Sequence, residues 1–186
     1  QGLRMRFFGF GGKVMQKLGV SVSLLPAGEI FAALEKGAID ATEFSFPAID
    51  QKLGFYKVAK YNYFPGWHQQ TSIHEIVINK DLWNSMTPKQ QTIIEMGIRA
   101  SLLQTQAIRE GSQGAVIKAK AEKRGVKHKY WSPELLAAIE KSWNEVLEEQ
   151  RAKDAMFKKT WEDLQAFRAQ YKVYSDLGFL PRGKGK

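Results

Sequence analysis

Cysteine is absent from this 186-residue sequence, and histidine occurs only three times. The lack of cysteine excludes thiol nucleophiles, thiolate metal sites and disulfide bonds, although it says little about compartment. The histidines, His68, His74 and His128, lie far apart in the sequence. His74-Glu75 does not begin a zinc-protease helix, because Ile78 stands where the second histidine would be needed. No nucleophile–base constellation is complete, so we expect no catalytic residues and a protein that is not an enzyme.

Long apolar runs are also lacking, since no stretch approaches the roughly 20 apolar residues of a membrane span. One glycine-rich segment, residues 9–12, lies between a strand and a helix that we expect to begin at Lys13. Such a segment can bind anions at a helix N-terminus. However, Val14 occupies the third glycine position of a dinucleotide motif, and the lysine–serine/threonine pair of a phosphate loop is missing. We interpret these glycines as a tight turn.

The sequence has an excess of basic residues, with a formal net charge of +9 that comes mostly from residues after position 80. A basic surface can bind nucleic acid through phosphate contacts. Here the basic residues are mixed with acids on helical segments and end in a tail containing Arg182, Lys184 and Lys186. Solvated helix faces are therefore our preferred interpretation, with a basic nucleic-acid-binding module as the alternative function.

Strands and helices alternate in the first third of the chain. Residues 3–8, 20–25 and 38–42 have strand character and are separated by helical segments. This alternation predicts an α/β fold with a mainly parallel sheet, whose ligands collect beyond the carboxyl ends of the strands. Arg6 and Glu43 both fall near such ends. Because an unpaired buried carboxylate is costly, Glu43 indicates a ligand or metal site.

Aromatic residues are dense in residues 61–67. Rings at this density can stack on a ligand or fill a core. For Tyr61 and Tyr63 the two roles remain equally open, whereas Trp67 lies beyond a Pro-Gly turn and is the better ligand candidate. Residues 72–79 alternate in polarity and are rich in β-branched residues, which predicts a further strand.

A long helix dominates the second half of the chain. Thr87 precedes a proline and predicts the N-cap, and the helical pattern continues to about Arg124. Such a helix can bridge two lobes. Its predicted inner face contains small residues that allow close approach: Gly97, Ala100, Ala107, Gly111 and Gly114.

Two further helices follow a short strand at residues 126–130. The first begins near Ser132, and the last begins at Asp154. Both have apolar residues at three- and four-residue spacing, including a stripe from Phe157 to Tyr171. This stripe is core or partner-helix surface, and it becomes a dimer contact if nothing else covers it.

Several segments, taken together and in order, resemble one protein family. They are Leu-Arg-Met-Arg with its glycine run, LPAGEIFAALEKGAIDATE, GFYKVAKY and YFPGWH. They resemble DctP-type substrate-binding proteins of tripartite ATP-independent periplasmic (TRAP) transporters. The similarity is greatest to the 2-oxo acid, or mannitol/chloroaromatic-type, branch.

The resemblance implies a two-lobed, type II periplasmic-binding-protein-like fold with hinge strands, a long bridging helix and C-terminal helices. We expect this chain to be a C-terminal portion that largely lacks the first lobe. Residues 1–41 and 82–130 would form the second α/β lobe, and 42–81 the hinge and the return into the first lobe. Residues 131–177 would be helices that cross the lobes or form a homodimer, and 178–186 a basic tail.

The resemblance also implies roles for individual residues. Arg6 would bind the ligand carboxylate, because a guanidinium pairs with two carboxylate oxygens. Glu43 would bind a sodium or calcium ion that bridges protein and substrate, together with the Phe44 carbonyl group and Gln69. Trp67 would line the pocket wall. The branch usually has tryptophan at position 44 and often glutamate at position 69, so this chain departs from the pattern twice.

The function implied is that of a periplasmic solute-binding protein. It would capture a small monocarboxylate, a 2-oxo or 2-hydroxy acid, and deliver it to membrane permease subunits. No bond would be made or broken, and no nucleic acid would be bound.

Overall fold

The structure is a computed structural model that describes residues 2–69 and 75–180. Its strands are β1 Arg4–Arg6, β2 Ser21–Ser23, β3 Ala41–Thr42, β4 Tyr61–Phe64 and β5 Lys127–Tyr130. Its α-helices are α1 Gly9–Lys17, α2 Ile30–Glu35, α3 Pro47–Lys52, α4 Lys80–Ser85, α5 Pro88–Arg124, α6 Pro133–Lys153 and α7 Ala155–Gly178. Short 3-10 helices lie at Ala27–Glu29 and Phe55–Lys57.

The first three strands form a parallel sheet in the order β2-β1-β3. Met5 lies opposite Val22 on one side and Ala41 on the other. Helices connect these strands, as parallel pairing requires. The predicted alternation of strands and helices around a parallel sheet is therefore confirmed, although each strand is shorter than its sequence pattern suggested. A second parallel pair joins β4 to β5, with Tyr61 opposite Lys127.

The glycine-rich segment 9–12 is not the turn that the sequence predicted. Helix α1 begins at Gly9 rather than at Lys13, so these glycines form its first turn. Position 11 requires glycine, because a Cβ atom there would collide with the ring of Phe7. Phe7 is itself buried. The glycines therefore allow α1 to pack closely against the end of β1.

Two apolar clusters hold these elements together. One joins α1 to α6 and contains the buried residues Val14, Ile139 and Val146. The other joins α2 to the segments beside β3 and contains the buried residues Ile30, Ile39 and Phe55. Burial of each large aliphatic or aromatic side chain contributes about 1.5–3 kcal/mol to the hydrophobic free energy of folding.

Helix α5 confirms the predicted boundaries. Thr87 caps its first turn through a reciprocal pair of hydrogen bonds with Gln90, and Gly125 ends it with a φ of 66°. Within the described residues the predicted inner face makes no close contact, because a Cβ atom at Gly97, Gly111 or Gly114 would meet nothing within 4 Å. The packed face of α5 lies elsewhere and contacts α3.

The predicted strand at residues 72–79 is not formed where it can be judged. Residues 72–74, which include His74, lie outside the described residues. Residues 75–79 have no strand pairing. The Asn79 side chain accepts from the N–H groups of Asp81 and Leu82 and so caps α4 instead.

The last two helices form as predicted. Ser132 and Asp154 cap α6 and α7 through their side chains. Helix α6 buries Ile139, Val146 and Leu147, whereas α7 has no buried residue. None of the helices in the described part of the chain combines the length and apolar character needed to cross a membrane.

Lysines on the long helices pair with acids one turn away. Lys159 Nζ lies 3.1 Å from Asp163 Oδ2, and Lys172 Nζ lies 2.6 Å from Asp176 Oδ2. Such exposed pairs contribute little to stability. They favour the interpretation of the positive charge as solvated helix faces. Residues 181–186, which include the basic residues of the tail, are outside the described ranges.

Two glycine-to-alanine substitutions should have opposite effects on stability. Gly11→Ala should lower the free energy of unfolding by about 1–3 kcal/mol, because the new methyl group overpacks the buried Phe7 ring. Gly97→Ala lies in an open helix interior and should raise it by about 0.5–1 kcal/mol. Urea unfolding of both variants checks this. Equal changes would show that α1 does not approach Phe7 as described.

Candidate functional site

The carboxyl ends of β1 and β3 bring Arg6 and Glu43 together. Arg6 lies opposite Thr42 in the parallel register. The N–H of Glu43 then donates to the carbonyl oxygen of Arg6 at 3.4 Å. Both side chains therefore project from the sheet edge where ligands bind in open α/β folds.

Arg6 and Glu43 form a buried ion pair. Arg6 Nη1 lies 2.5 Å from Glu43 Oε1, and the two side chains are 10% and 7% exposed. Arg6 also donates through Nε to the carbonyl oxygen of Leu25 and through Nη1 to that of Glu43, both at 3.3 Å. An ion pair withdrawn from water is tolerated only when such additional hydrogen bonds satisfy it. The expectation that Glu43 needs a partner is thus met by Arg6.

The second oxygen of Glu43 contacts a residue that sequence reasoning missed. His68 Nε2 lies 3.1 Å from Glu43 Oε2. Because Arg6 already donates to this carboxylate, the His68 contact is a second donor to the same group. The signal available in the sequence was the position of His68 directly after Trp67 in a candidate ligand loop. The wide separation of the histidines concealed it.

Phe44 lies on one side of the ion pair. Its ring packs edge-on against Phe55, with centroids 5.5 Å apart. The guanidinium carbon of Arg6 lies 5.9 Å from the Phe44 ring centroid and 5.5 Å from that of Phe8. Aromatic rings at these distances attract a cation. Phe44 thus contributes its side chain to the wall around Arg6.

Trp67 and Gln69 occupy different environments. Trp67 packs against the apolar cluster of α1 and α6 and lies 5.6 Å from Phe7 between ring centroids. Its side chain therefore joins the hydrophobic core to the loop that holds His68. Gln69 is exposed at the end of the same loop.

The segment that follows Glu43 is fixed to the long helix α5. Arg109 lies over the Phe46 ring, 4.5 Å from its centroid. The Gln113 side-chain oxygen accepts from the N–H of Ala48 at 3.1 Å. These contacts hold α3 against α5, so the position of Glu43 is set from both the sheet and the helix.

Asp50 and Lys120 face each other between α3 and α5. Lys120 is only 4% exposed. Burial raises the pKa of Asp50 to about 7, although the Lys120 ammonium and the Ser45 N–H act in the opposite direction. Burial also lowers the pKa of Lys120, and Asp50 partly opposes that change. Burial thus disfavours the charged form of each group.

The described residues at this site include oxygen ligands of the type that a hard cation prefers, but too few to complete its coordination. Sodium and calcium prefer oxygen ligands, which the Glu43 carboxylate, the Phe44 carbonyl group and the Gln69 side chain can supply. Across residues 2–69 and 75–180, no group of three histidine, aspartate or glutamate side chains converges. Both Glu43 oxygens also have donors already. A cation here would share Glu43 and take further oxygens from a ligand.

The chain thus has a parallel sheet of the α/β class with a buried arginine–glutamate pair at its carboxyl edge. Residues 1–154 match the DctP family model, the bacterial extracellular solute-binding proteins of family 7. The chain belongs to this family, whose members act in transport rather than catalysis. The predicted resemblance and the periplasmic-binding-protein fold are confirmed.

Individual relatives agree with this assignment. A monocarboxylate 2-oxoacid-binding periplasmic protein of Nostoc sp. is 37% identical over 181 residues, which cover 97% of this chain and 49% of that protein. A TRAP periplasmic solute-binding protein of Colwellia psychrerythraea, solved with calcium and pyruvate, is 30% identical with a TM-score of 0.83. Another, from Pseudoalteromonas atlantica, solved with sodium and pyruvate, is 27% identical with a TM-score of 0.81. Each structural match covers 95% of this chain and 54% of the other.

This chain therefore spans about half the length of the relatives that it matches. The family and the fold follow from the comparisons.

Asp50 should make the stability of the protein depend on pH. Its ordinary pKa of 3.8 rises to about 7 in the folded chain. The stabilisation associated with the protonated carboxyl is therefore fully present below about pH 4 and is lost as the pH rises to about 7, at up to about 1.4 kcal/mol per pKa unit. Asp50→Asn should flatten this decline in urea unfolding measured between these pH values.

Asp40→Asn provides the matched control. Hydrogen bonds from Arg4 lower the pKa of Asp40 to about 2, so its contribution has the opposite sign and is lost only as the pH falls below about 4. The Asp40 variant should keep the wild-type slope between pH 4 and 7. Parallel curves for wild type and Asp50→Asn would contradict the burial of Asp50.

Proposed function

We propose that this chain forms part of a periplasmic solute-binding protein of a TRAP transporter. Its ligand is a small monocarboxylate, a 2-oxo or 2-hydroxy acid, which it delivers to the membrane permease subunits. The observation that supports this most is the buried Arg6–Glu43 pair at the carboxyl edge of the sheet. The ligands named for the solved relatives, pyruvate with calcium or sodium, are of this chemical class.

Arg6 is the group that neutralises the ligand carboxylate. Its contacts with Glu43 and Leu25 use Nε and Nη1. Among the described residues, the donors of Nη2 have no such contact and remain for an incoming carboxylate. A guanidinium donates from three nitrogens in one plane, so it can serve Glu43 and a ligand at once. The rings of Phe8 and Phe44 exclude water from this contact and strengthen it.

Glu43 has the complementary role of holding the cation. Together with the Phe44 carbonyl group and Gln69, it would supply protein oxygens to sodium or calcium. The cation, when bound, neutralises part of the negative charge of the ligand and Glu43. Trp67 supports the loop that closes this side of the site, and its ring lines the wall through its contact with His68 at 5.7 Å.

We also propose a division of the chain into a lobe and a hinge. Residues 1–41 and 82–130 form the second lobe, and 42–81 are the hinge and the return into the first lobe. The pairing of β4 with β5 supports this, because it joins the hinge segment to residues 127–130 by parallel hydrogen bonding. A hinge made of strands permits closure of the lobes around a ligand.

Removal of the guanidinium should abolish tight ligand binding. Arg6→Ala should weaken pyruvate binding by roughly 10- to 100-fold, because a charge-assisted hydrogen bond contributes about 1.5–3 kcal/mol. Isothermal titration calorimetry of the purified protein with pyruvate, in sodium and in calcium buffers, measures this.

The matched control for this experiment is Arg4→Ala, on the same strand. Arg4 is exposed and pairs with Asp40 rather than with Glu43. This control should bind pyruvate like the wild type. Wild-type protein that binds neither pyruvate nor lactate, or an Arg6→Ala variant with unchanged affinity, would overturn the proposed function.

We also propose that α7 forms a homodimer contact. The helix has no buried residue, and its outer half exposes a ladder of aromatic rings. Phe167 stacks on Tyr171 at 5.8 Å, and Tyr171 contacts Tyr174 at the same distance. Large exposed apolar patches of this kind mark interaction surfaces. A second copy of α7 offers a matching surface.

A charge on this ladder should prevent association. Tyr171→Glu should shift the protein from dimer to monomer in analytical ultracentrifugation, because a buried carboxylate without a partner is costly. Gln165→Glu, an exposed position on the same helix, should leave the dimer intact. A wild-type protein that sediments as a monomer at all concentrations would refute the dimer.

A further inference from the structure

We propose that His68 is the positioning residue that keeps Glu43 in place when Arg6 also binds the ligand. This inference rests on the proposed function, because it assigns how that site is organised. His68 does not contact the ligand in this account. It acts through the Glu43 carboxylate.

The division of the Glu43 oxygens is the first observation behind this proposal. Oε1 accepts from Arg6 at 2.5 Å and Oε2 from His68 at 3.1 Å. The two donors therefore come from different elements, one from β1 and one from the loop after β4. If one of these hydrogen bonds is lost, the other still holds one oxygen of Glu43.

The second observation is that His68 cannot easily turn away. Its imidazole has edge-on contacts with the rings of Phe7, Phe8 and Trp67, at centroid distances of 5.0, 6.4 and 5.7 Å. Phe7 is 3% exposed, and Trp67 packs on the buried cluster of α1 and α6. Apolar rings thus fix the plane of the imidazole and point Nε2 at Glu43.

The role of His68 follows from the arrival of a second anion. A ligand carboxylate that shares Arg6 with Glu43 lies close to it, and two carboxylates at short distance repel each other. If Arg6 were the sole restraint, Glu43 could swing out of the site as the ligand bound. The fixed N–H of His68 holds one oxygen throughout, so the carboxylate stays oriented for a cation and does not displace the ligand.

The imidazole N–H, rather than the size of the side chain, should determine affinity. In calorimetric titrations with pyruvate, His68→Leu should weaken binding about tenfold, as expected for a hydrogen bond to a charged group. His68→Gln should stay within about threefold of wild type, because its amide N–H reaches about as far as Nε2. His68→Asn is shorter and should behave like the leucine variant.

His128 provides the matched control. It lies on β5, and its Nε2 contacts the carbonyl oxygen of Ile117 at 3.1 Å, away from the site. His128→Gln should leave pyruvate affinity unchanged. Circular dichroism establishes that each variant folds. Should His68→Leu fail to fold, the comparison of His68→Gln with His68→Asn tests the same point.

A double-mutant cycle separates positioning from a structural role. In a Glu43→Gln background, His68→Asn should change pyruvate affinity by less than about twofold, because the group that His68 orients is altered. Additive effects of the two substitutions, or wild-type affinity in His68→Asn, would overturn the inference while leaving the proposed function standing. Failure of the wild type to bind pyruvate would overturn both.

Discussion

The candidate site depends on the ion pair between Arg6 and Glu43. It joins the carboxyl ends of two adjacent parallel strands, and both side chains are almost completely withdrawn from water. Breaking a buried ion pair by removing one partner costs about 3–5 kcal/mol, so neither residue is free to change independently. Electrostatic interactions are stronger where water is excluded, so the proposed contact of a ligand carboxylate with Arg6 would be strengthened by the same burial.

The rest of the structure supports this pair from three directions. Helix α1, whose first turn contains glycines, packs on Phe7 at the end of β1. The α5 helix holds the segment after Glu43 through Arg109 and Gln113. The loop after β4 brings His68 to the second Glu43 oxygen. Elements that are distant in sequence therefore converge on one carboxylate, which is typical of a site built for orientation.

Much of this arrangement could be predicted from the sequence, because local signals and tertiary structure agree. The proline after Thr87 and the glycine at position 125 bound α5 correctly, and the α/β alternation predicted the parallel sheet. The errors arose where tertiary contacts decide. The glycines that begin α1 were predicted as a turn, and the contact of Gly11 with the buried ring of Phe7 is not apparent from the sequence pattern. Residues 75–79 include three consecutive β-branched residues, as a strand would, but have no pairing partner in the described structure.

The site shows the same division between local and distant information. Arg6 and Glu43 could be predicted because both follow strands whose ends meet at one sheet edge. His68 could not, because its contact with Glu43 spans 25 residues and depends on how the aromatic loop folds back. The small residues on one face of α5 likewise did not predict a packed face within the described residues, because small side chains permit close packing but do not require it.

The most direct test of the central claim is a crystal structure of the purified protein with pyruvate and calcium. The account predicts that the pyruvate carboxylate lies within about 2.7–3.2 Å of the Arg6 guanidinium. It also predicts that Glu43 remains bound to His68 and contributes an oxygen to the cation. Pyruvate bound elsewhere, with the Arg6–Glu43 pair undisturbed and no ligand contact to Arg6, would contradict it.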